Sequence, residues 1–333
     1  MDTEAELPLF KMPAPKVYIV ILNYKQWQVT LQCLLSVLNS TYTNYAIVVI
    51  DNDSQNNSLE SLAAELNNRS LLPTADYLII DKTDLKDKGI LPELKVTLLQ
   101  NDENTGFAAA NNLVLDVIKD QDAYVWLLNP DMVAVENTLV NLVIFAKNQP
   151  DSAIIGGVIK YDSDKDELFC YGGSQLNFYS GRPNIIENAL DADKIDFIYG
   201  GCLFTHVSNF KTLGLLPEEY FLYWEETDWC YTAKLKGHPL IVCPDAICYD
   251  KISTSIGKGY LSDYYYARNT LYFMAKFRKF RLPSALFFMS LRWLRRLFAG
   301  QRDRASGMFW GTVDFFKGKK NMGHLNTSNR SSF

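Results

Sequence analysis

Two unbroken apolar runs near the start of the chain, Lys16-Val-Tyr-Ile-Val-Ile-Leu22 and Tyr45-Ala-Ile-Val-Val-Ile50, constrain the fold most. Neither alternates polar with apolar residues. Each therefore reads as a strand buried on both faces, as in a parallel sheet covered on two sides. The stretch between them, from about Gln26 to Leu38, reads as a helix. Strand, helix and strand at this spacing make a right-handed crossover unit. The pattern recurs, with Ser58 to Asn67 as helix, Lys95-Val-Thr-Leu-Leu99 as the third strand, Ala108 to Lys119 as helix and Tyr124 to Leu128 as the fourth strand. Residues 68–94 are mixed and charged, and read as an excursion from the core. The expected class is α/β, a doubly wound, Rossmann-like, mostly parallel sheet flanked by helices. At 333 residues the chain has room for one such domain and an appendage.

The six cysteines (Cys33, Cys170, Cys202, Cys230, Cys243, Cys248) show no Cys-x-x-Cys pair, and only three histidines accompany them. Neither a disulfide framework nor a structural zinc site is expected, and reduced thiols are the default. Residues 1–15 hold three prolines and read as an untethered leader, and Asp2, Glu4 and Glu6 are unlike the positive start of a signal peptide. No apolar run approaches the roughly 20 residues of a spanning helix. The expected location is cytoplasmic, in solution or on a membrane from that side.

Charge is unevenly placed. The net charge is −5, yet residues 276–304 carry +8 and residues 305–333 carry +3, which leaves −16 on the first 275 residues. A body that acidic repels nucleic-acid backbones, so no nucleic-acid partner is expected. The basic end suits an anionic membrane surface.

Chemistry concentrates where strands end. Asp51 stands at the tip of the second strand, placed to accept hydrogen bonds from a base ring or a ribose, or else to close an Asx-turn or cap the next helix. After the third strand comes Asn104-Thr-Gly-Phe-Ala-Ala-Ala-Asn-Asn112, in which Gly106 permits a tight turn and the helix start beyond it offers N–H groups to a phosphate. In Asn129-Pro-Asp131, Pro130 stops the fourth strand and Asp131 offers a hard oxygen to a divalent cation, or caps a following helix. Glu225-Glu226-Thr-Asp228 places three carboxylates between Tyr223, Trp224 and Trp229. Desolvation and like-charge crowding there raise a carboxyl pKa toward the range a general base needs.

In this order the residues resemble the family 2 glycosyltransferases of the GT-A fold, and within them the rhamnosyltransferase-like enzymes of bacterial cell-surface polysaccharide assembly. The resemblance covers about residues 16–275. It is carried by Val20-Ile-Leu-Asn-Tyr24, Val49-Ile-Asp-Asn-Asp-Ser54, Asn104-Thr-Gly-Phe107 with Asn111-Asn112, and Leu127-Leu-Asn-Pro-Asp131. Tyr199-Gly-Gly201, Phe221-Leu-Tyr-Trp-Glu-Glu-Thr-Asp-Trp229, Gly237 and Tyr265-Tyr-Ala-Arg-Asn269 complete it. The implied organisation is a GT-A domain over 16–275, with a nucleotide-binding half to 131 and an acceptor half after it. A basic amphipathic helical extension over 276–320 and a disordered tail over 321–333 would follow.

The resemblance implies roles residue by residue. Asn23 and Tyr24 would line the nucleotide and Asp51 would read its pyrimidine ring. Asn104, Gly106, Asn112, Asn129 and Arg268 would border the rest of the donor. Asp131 would hold Mn²⁺ or Mg²⁺, and Glu226 would be the catalytic base, supported by Glu225 and Asp228. Where the family usually places a metal-binding histidine, Ala246-Ile-Cys-Tyr-Asp-Lys-Ile-Ser253 offers Asp250. Ala108-Ala-Ala110 stands where many relatives have a glycine. The implied reaction is an inverting single displacement from a dTDP- or UDP-linked sugar to a glycan or polyprenyl-diphosphate-linked acceptor. A nucleotidyltransferase needs a Gly-rich basic loop after the first strand, which Asn23-Tyr-Lys-Gln-Trp27 lacks. A catalytically silent nucleotide-sugar-binding protein is the other alternative.

In the extension, Ser284 to Phe298 sets Phe287, Leu291, Leu294 and Phe298 on one stripe with Leu286, Trp293 and Leu297 beside it, and Arg292, Arg295 and Arg296 opposite. That is the pattern of a helix lying on the inner face of the cytoplasmic membrane. A helix packed back on the body, or across a homodimer, reads the same way.

Overall fold

The computed structural model describes residues 14–70, 76–251 and 259–321. Most of the leader, the tail after Asn321, and Ile252 and Ser253 of the quoted stretch lie outside the described residues. The first half alternates β1 (Lys16–Asn23), α1 (Trp27–Leu38), β2 (Tyr45–Asp51), α2 (Ser58–Asn68), β3 (Tyr77–Asp81), α3 (Lys82–Lys88), β4 (Val96–Gln100), α4 (Gly106–Ile118) and β5 (Ala123–Leu128). The second half begins with β6 (Met132–Ala134), α5 (Thr138–Ala146), β7 (Ile154–Tyr161), β8 (Leu168–Tyr171), β9 (Gly173–Asn177), β10 (Arg182–Ile185) and β11 (Phe197–Ile198). It continues through β12 (Cys202–His206), α6 (Ser208–Leu213), α7 (Glu225–Leu235) and β13 (Leu240–Asp250). Helices α8 (Tyr260–Phe277), α9 (Leu282–Phe298) and α10 (Arg302–Phe316) close the chain.

One large sheet runs β3-β4-β2-β1-β5-β12-β7-β13-β6, with β8 beside β7. The pairs from β3 to β5 are all parallel, and β12 then enters antiparallel to both β5 and β7. Alternate residues of β1 serve two cores. Val17, Ile19 and Ile21 pack on the side that also holds Leu34 of α1 and Leu62 of α2, whereas Tyr18 and Val20 pack on the side with Val114 of α4. Each such aliphatic side chain contributes about 1.5–3 kcal/mol relative to exposure.

Two expectations need correction. Residues 68–94 are not outside the sheet, since β3 pairs in register with β4 as its edge strand. The segment after Asp131 is the strand β6 rather than a helix, so Asp131 caps no helix.

The C-terminal helices form a layer on α8. Gly307 and Gly311 let α10 approach closely, for a Cβ at Gly311 would stand 2.3 Å from the Tyr264 carbonyl oxygen. Helix α9 packs through Ala285 and Met289, with Leu286 and Trp293 beside them. Arg292 and Arg296 also face inward, Arg292 toward the Ser180 carbonyl and the Tyr266 ring and Arg296 toward Asp263. The expected arginine face is therefore divided, with only Arg295 of the three exposed.

Candidate active site

The parallel ladders bring Asn23, Asp51 and Gln100 into line at the carboxyl ends of β1, β2 and β4. Asp51 accepts from Asn23 Nδ2 at 2.5 Å, from the Ser54 amide at 3.0 Å and from Gln100 Nε2 at 3.3 Å. The Asp51 side chain thus closes its own loop at the Ser54 amide, three residues on rather than the two of an Asx-turn, and the residue also borders an open cavity of about 400 Å³. Asp53, Gln55, Asn56, Gln100 and Asp102 line the same cavity, which crosses the strand ends where open α/β sheets take ligands. A second cavity, about 460 Å³, lies at the opposite ends of β1 and β2 beside Lys16, Tyr18 and Lys95, away from the acidic stretches. Tyr24 is half-buried just past β1 with Lys25 over its ring.

The turn before α4 is self-contained. Asn104 Oδ1 accepts from Asn52 Nδ2 at 2.9 Å and from the Gly106 amide at 3.1 Å, and the Phe107 amide donates to the Phe221 carbonyl at 2.8 Å. The Gly106 and Phe107 amides are therefore engaged by protein and are not offered to a phosphate. Gly106 is required here twice over. Its φ is +84°, and a Cβ would stand 2.3 Å from the Phe221 carbonyl oxygen. Asn112 is likewise not a donor contact. Its carboxamide donates to the Leu216 carbonyl and Glu218 Oε1 and accepts from the Leu216 amide, leaving it buried.

Asp131 and Asp250 lie at the paired ends of β6 and β13, where Asp250 faces Met132 in register and the Lys251 amide reaches the Asp131 carbonyl at 3.2 Å. Both carboxylates are less than a tenth exposed. The donor set is hard oxygen only, which fits Mg²⁺ or Mn²⁺. Among the described residues no cluster of three or more ligating side chains occurs, so a cation here would take further oxygens from its substrate.

Asp131, Asp250 and Glu226 are brought together along Tyr199–Gly201, a segment the sequence reading quoted but gave no role. The Gly201 carbonyl accepts from the Asn129 amide at 3.1 Å, and Gly201 lies against Met132. Gly200 lies so close to Glu226 that a Cβ would stand 2.9 Å from its Cγ. Burial pushes the Tyr199 hydroxyl up, and the charges of Asp250, Asp131 and Glu226 push it further. All three carboxylates therefore lie within electrostatic reach of one hydroxyl.

Glu225 and Glu226 open α7, whose positive end favours carboxylates. The turn that presents them is strained. Phe221, Tyr223 and Trp224 have φ of 66°, 65° and 81°, a region costing non-glycine residues about 1–3 kcal/mol each. One hydrogen bond returns about 0.5–1.5 kcal/mol net, so several must act together. Asn269 Nδ2 lies within 3.0 Å of the carbonyls of Tyr220, Leu222 and Tyr223, and Arg268 Nη2 donates to the Tyr220 carbonyl at 2.8 Å. The Phe221 ring stacks on Tyr265 and Trp224 leans on Phe273. Arg268 is fully buried in this brace, against the Tyr264 and Tyr265 rings, and is not a donor contact. Asn269, which the sequence reading quoted without a role, makes most of this brace's hydrogen bonds to the turn.

The acidic trio divides. Asp228 is buried, accepts from Tyr220 Oη at 2.6 Å and pairs with Lys276 Nζ at 2.7 Å, so it anchors α7 to α8. Glu225 Oε2 is buried with no hydrogen-bond partner among the described residues. Desolvation, then the Glu226 charge, pushes the Glu225 carboxyl well up. Desolvation also raises Glu226, which is only half-buried and remains the reachable carboxylate of the pair.

The family described as Glycosyl transferase family 2 matches residues 18–214. Glycosyltransferase GlyG of Streptococcus pneumoniae serotype 4 is 21% identical over 155 residues, 46% of this chain and 43% of that protein, so the match spans less than half of that relative. The mannosyltransferase PcManGT from Pyrobaculum calidifontis, solved with GDP-Man and Mn²⁺, superposes with a TM-score of 0.56 at 14% identity, over 92% of this chain and 88% of that one. GalNAc-T7, solved with UDP, GalNAc and Mn²⁺, gives a TM-score of 0.53 at 15% identity, over 84% of this chain and 57% of that one.

Proposed function

Because the chain belongs to glycosyl transferase family 2 and has the GT-A fold, we propose that it moves a hexose, rhamnose-like or another, from a dTDP- or UDP-linked donor to a growing glycan. The acceptor in this reading is linked to a polyprenyl diphosphate, and the transfer takes place at the inner face of the cytoplasmic membrane. The observation that carries the transfer reading is the Tyr199–Gly201 seam, which joins the Asp131 and Asp250 strand ends to Glu226.

The nucleotide occupies the cavity at Asp51, and the sugar lies toward the seam. Glu226 takes the proton from an acceptor hydroxyl while that oxygen bonds to the anomeric carbon. The bond from that carbon to the donor phosphate breaks on the opposite face, and the diphosphate leaves with the electron pair, so the anomeric configuration inverts. Burial and the Glu226 charge push the Glu225 carboxyl up, so the two neighbouring carboxylates do not ionise independently. Asp131 and Asp250 would hold Mg²⁺ or Mn²⁺, which when bound supplies positive charge for the departing diphosphate. Both neighbouring structures contain Mn²⁺, which supports the same class of ion here.

The test is a screen of dTDP-, UDP- and GDP-sugars with Mn²⁺, reading thermal stabilisation and release of nucleoside diphosphate. One nucleotide class should stabilise the protein and be slowly hydrolysed, and a chelator should abolish both effects. Stabilisation by none of them contradicts the reading.

A further inference from the structure

Helix α9 turns its apolar stripe away from the protein. Phe287, Leu291, Leu294 and Phe298 follow one another at helical spacing and are between 39% and 88% exposed. They stand opposite the side made by Ala285, Met289 and Arg292, which is fixed to α8 and to the β9–β10 turn. Phe288 and Leu297 flank the stripe, and Phe309 and Trp310 of α10 are also exposed. Contiguous large apolar side chains in water mark a surface that something covers.

We propose that the occupant is an anionic lipid bilayer, on which α9 lies flat. Exposed cations flank the stripe, with Lys279 and Arg281 before it, Arg295 beside its last turn and Arg302 after it. Two copies meeting face to face through α9 would bring these exposed cations against their like, whereas an anionic surface attracts each of them. Helix α9 is 17 residues long, and no described helix is long and apolar enough to cross a membrane, so it lies in the interface. The inward turn of Arg292 and Arg296 gives the helix a fixed roll, which keeps the stripe on the outside.

The test uses the full chain with vesicles of phosphatidylcholine alone or mixed with phosphatidylglycerol, read by flotation. Wild type should float with the mixed vesicles, less so at high salt. The variant Phe287→Ser/Leu291→Ser/Phe298→Ser should bind roughly a hundredfold or more weaker, with its melting temperature kept. Lys279→Gln/Arg295→Gln/Arg302→Gln should lose the salt-sensitive part. Three results would overturn the proposal: wild type that does not float, equal flotation of wild type and the apolar variant, or a wild-type dimer that the apolar variant abolishes, which would make a second copy the occupant. The measurement needs neither donor nor acceptor, so its failure leaves the transferase reading standing.

Discussion

The side proposed to bind the donor is made of strand ends held in register by backbone ladders, whereas the side proposed to carry the base is an irregular turn held by side chains from a later helix. Asn23, Asp51 and Gln100 stand where parallel pairing puts them, and their local hydrogen bonds close within one end of the sheet. The turn from Tyr220 to Trp224 takes three left-handed aromatic residues and depends on Asn269 and Arg268 of α8. The first side is held by backbone pairing and is independent of the later helices. The second is tunable and over-determined, as a site that must aim one carboxylate requires. The account therefore predicts that damage on the two sides has different kinetic signatures.

The largest effect belongs to the base. Glu226→Gln should lower kcat by about 10²–10⁴-fold, and retained turnover above a tenth of wild type would move the base elsewhere. In wild type kcat/KM should fall as pH drops through the raised pKa of Glu226, above the ordinary carboxylate range, because the base must be ionised. Next comes Asp131→Ala, which should cost about 10²–10³-fold through charge stabilisation at the diphosphate and weaken donor binding in Mn²⁺. Activity that survives a chelator would break the metal assignment for both Asp131 and Asp250.

Asn269→Ala should misplace the base turn and lower kcat by about a hundredfold with donor affinity unchanged. Loss of donor affinity with kcat kept would show that the brace serves the wrong side of the comparison. Asp51→Asn should raise the donor KM about tenfold and leave kcat alone, since it removes a charged acceptor beside the cavity. The smallest effect is on stability. The folded pKa of Glu225 is raised, so the folded state keeps a proton that the unfolded chain releases, and stability declines as pH rises from about 4.3 toward that raised value. Glu225→Gln should flatten that decline and melt no lower than wild type at neutral pH, and a steeper decline would contradict it.

The sequence exposed the donor side far better than the base side, for physical reasons. The runs that became β1, β2, β4 and β5 are buried on both faces, so their composition alone marks them. Strand β3 escaped because it is a short edge strand with Leu78 and Ile79 exposed, next to a charged helix. The small sheet of β9, β10 and β11 is built from strands of five, four and two residues, too short to show a period. Aromatic residues at positive φ cannot be read from sequence, because nothing local favours them there. Asn269 acts on three carbonyls more than forty positions earlier, a contact that no spacing rule reports. Arg268 and Asn112 looked like ligand contacts because polarity within a motif does not say which way a side chain is used.

The claim that one side binds and the other reacts is tested most directly by measuring nucleoside-diphosphate affinity in Mn²⁺ and sugar transfer on the same preparations of Asp131→Ala and Glu226→Gln. The account predicts that both lose transfer, that Asp131→Ala also loses affinity, and that Glu226→Gln keeps it. Equal loss of affinity in the two variants, or transfer retained by either, would contradict it.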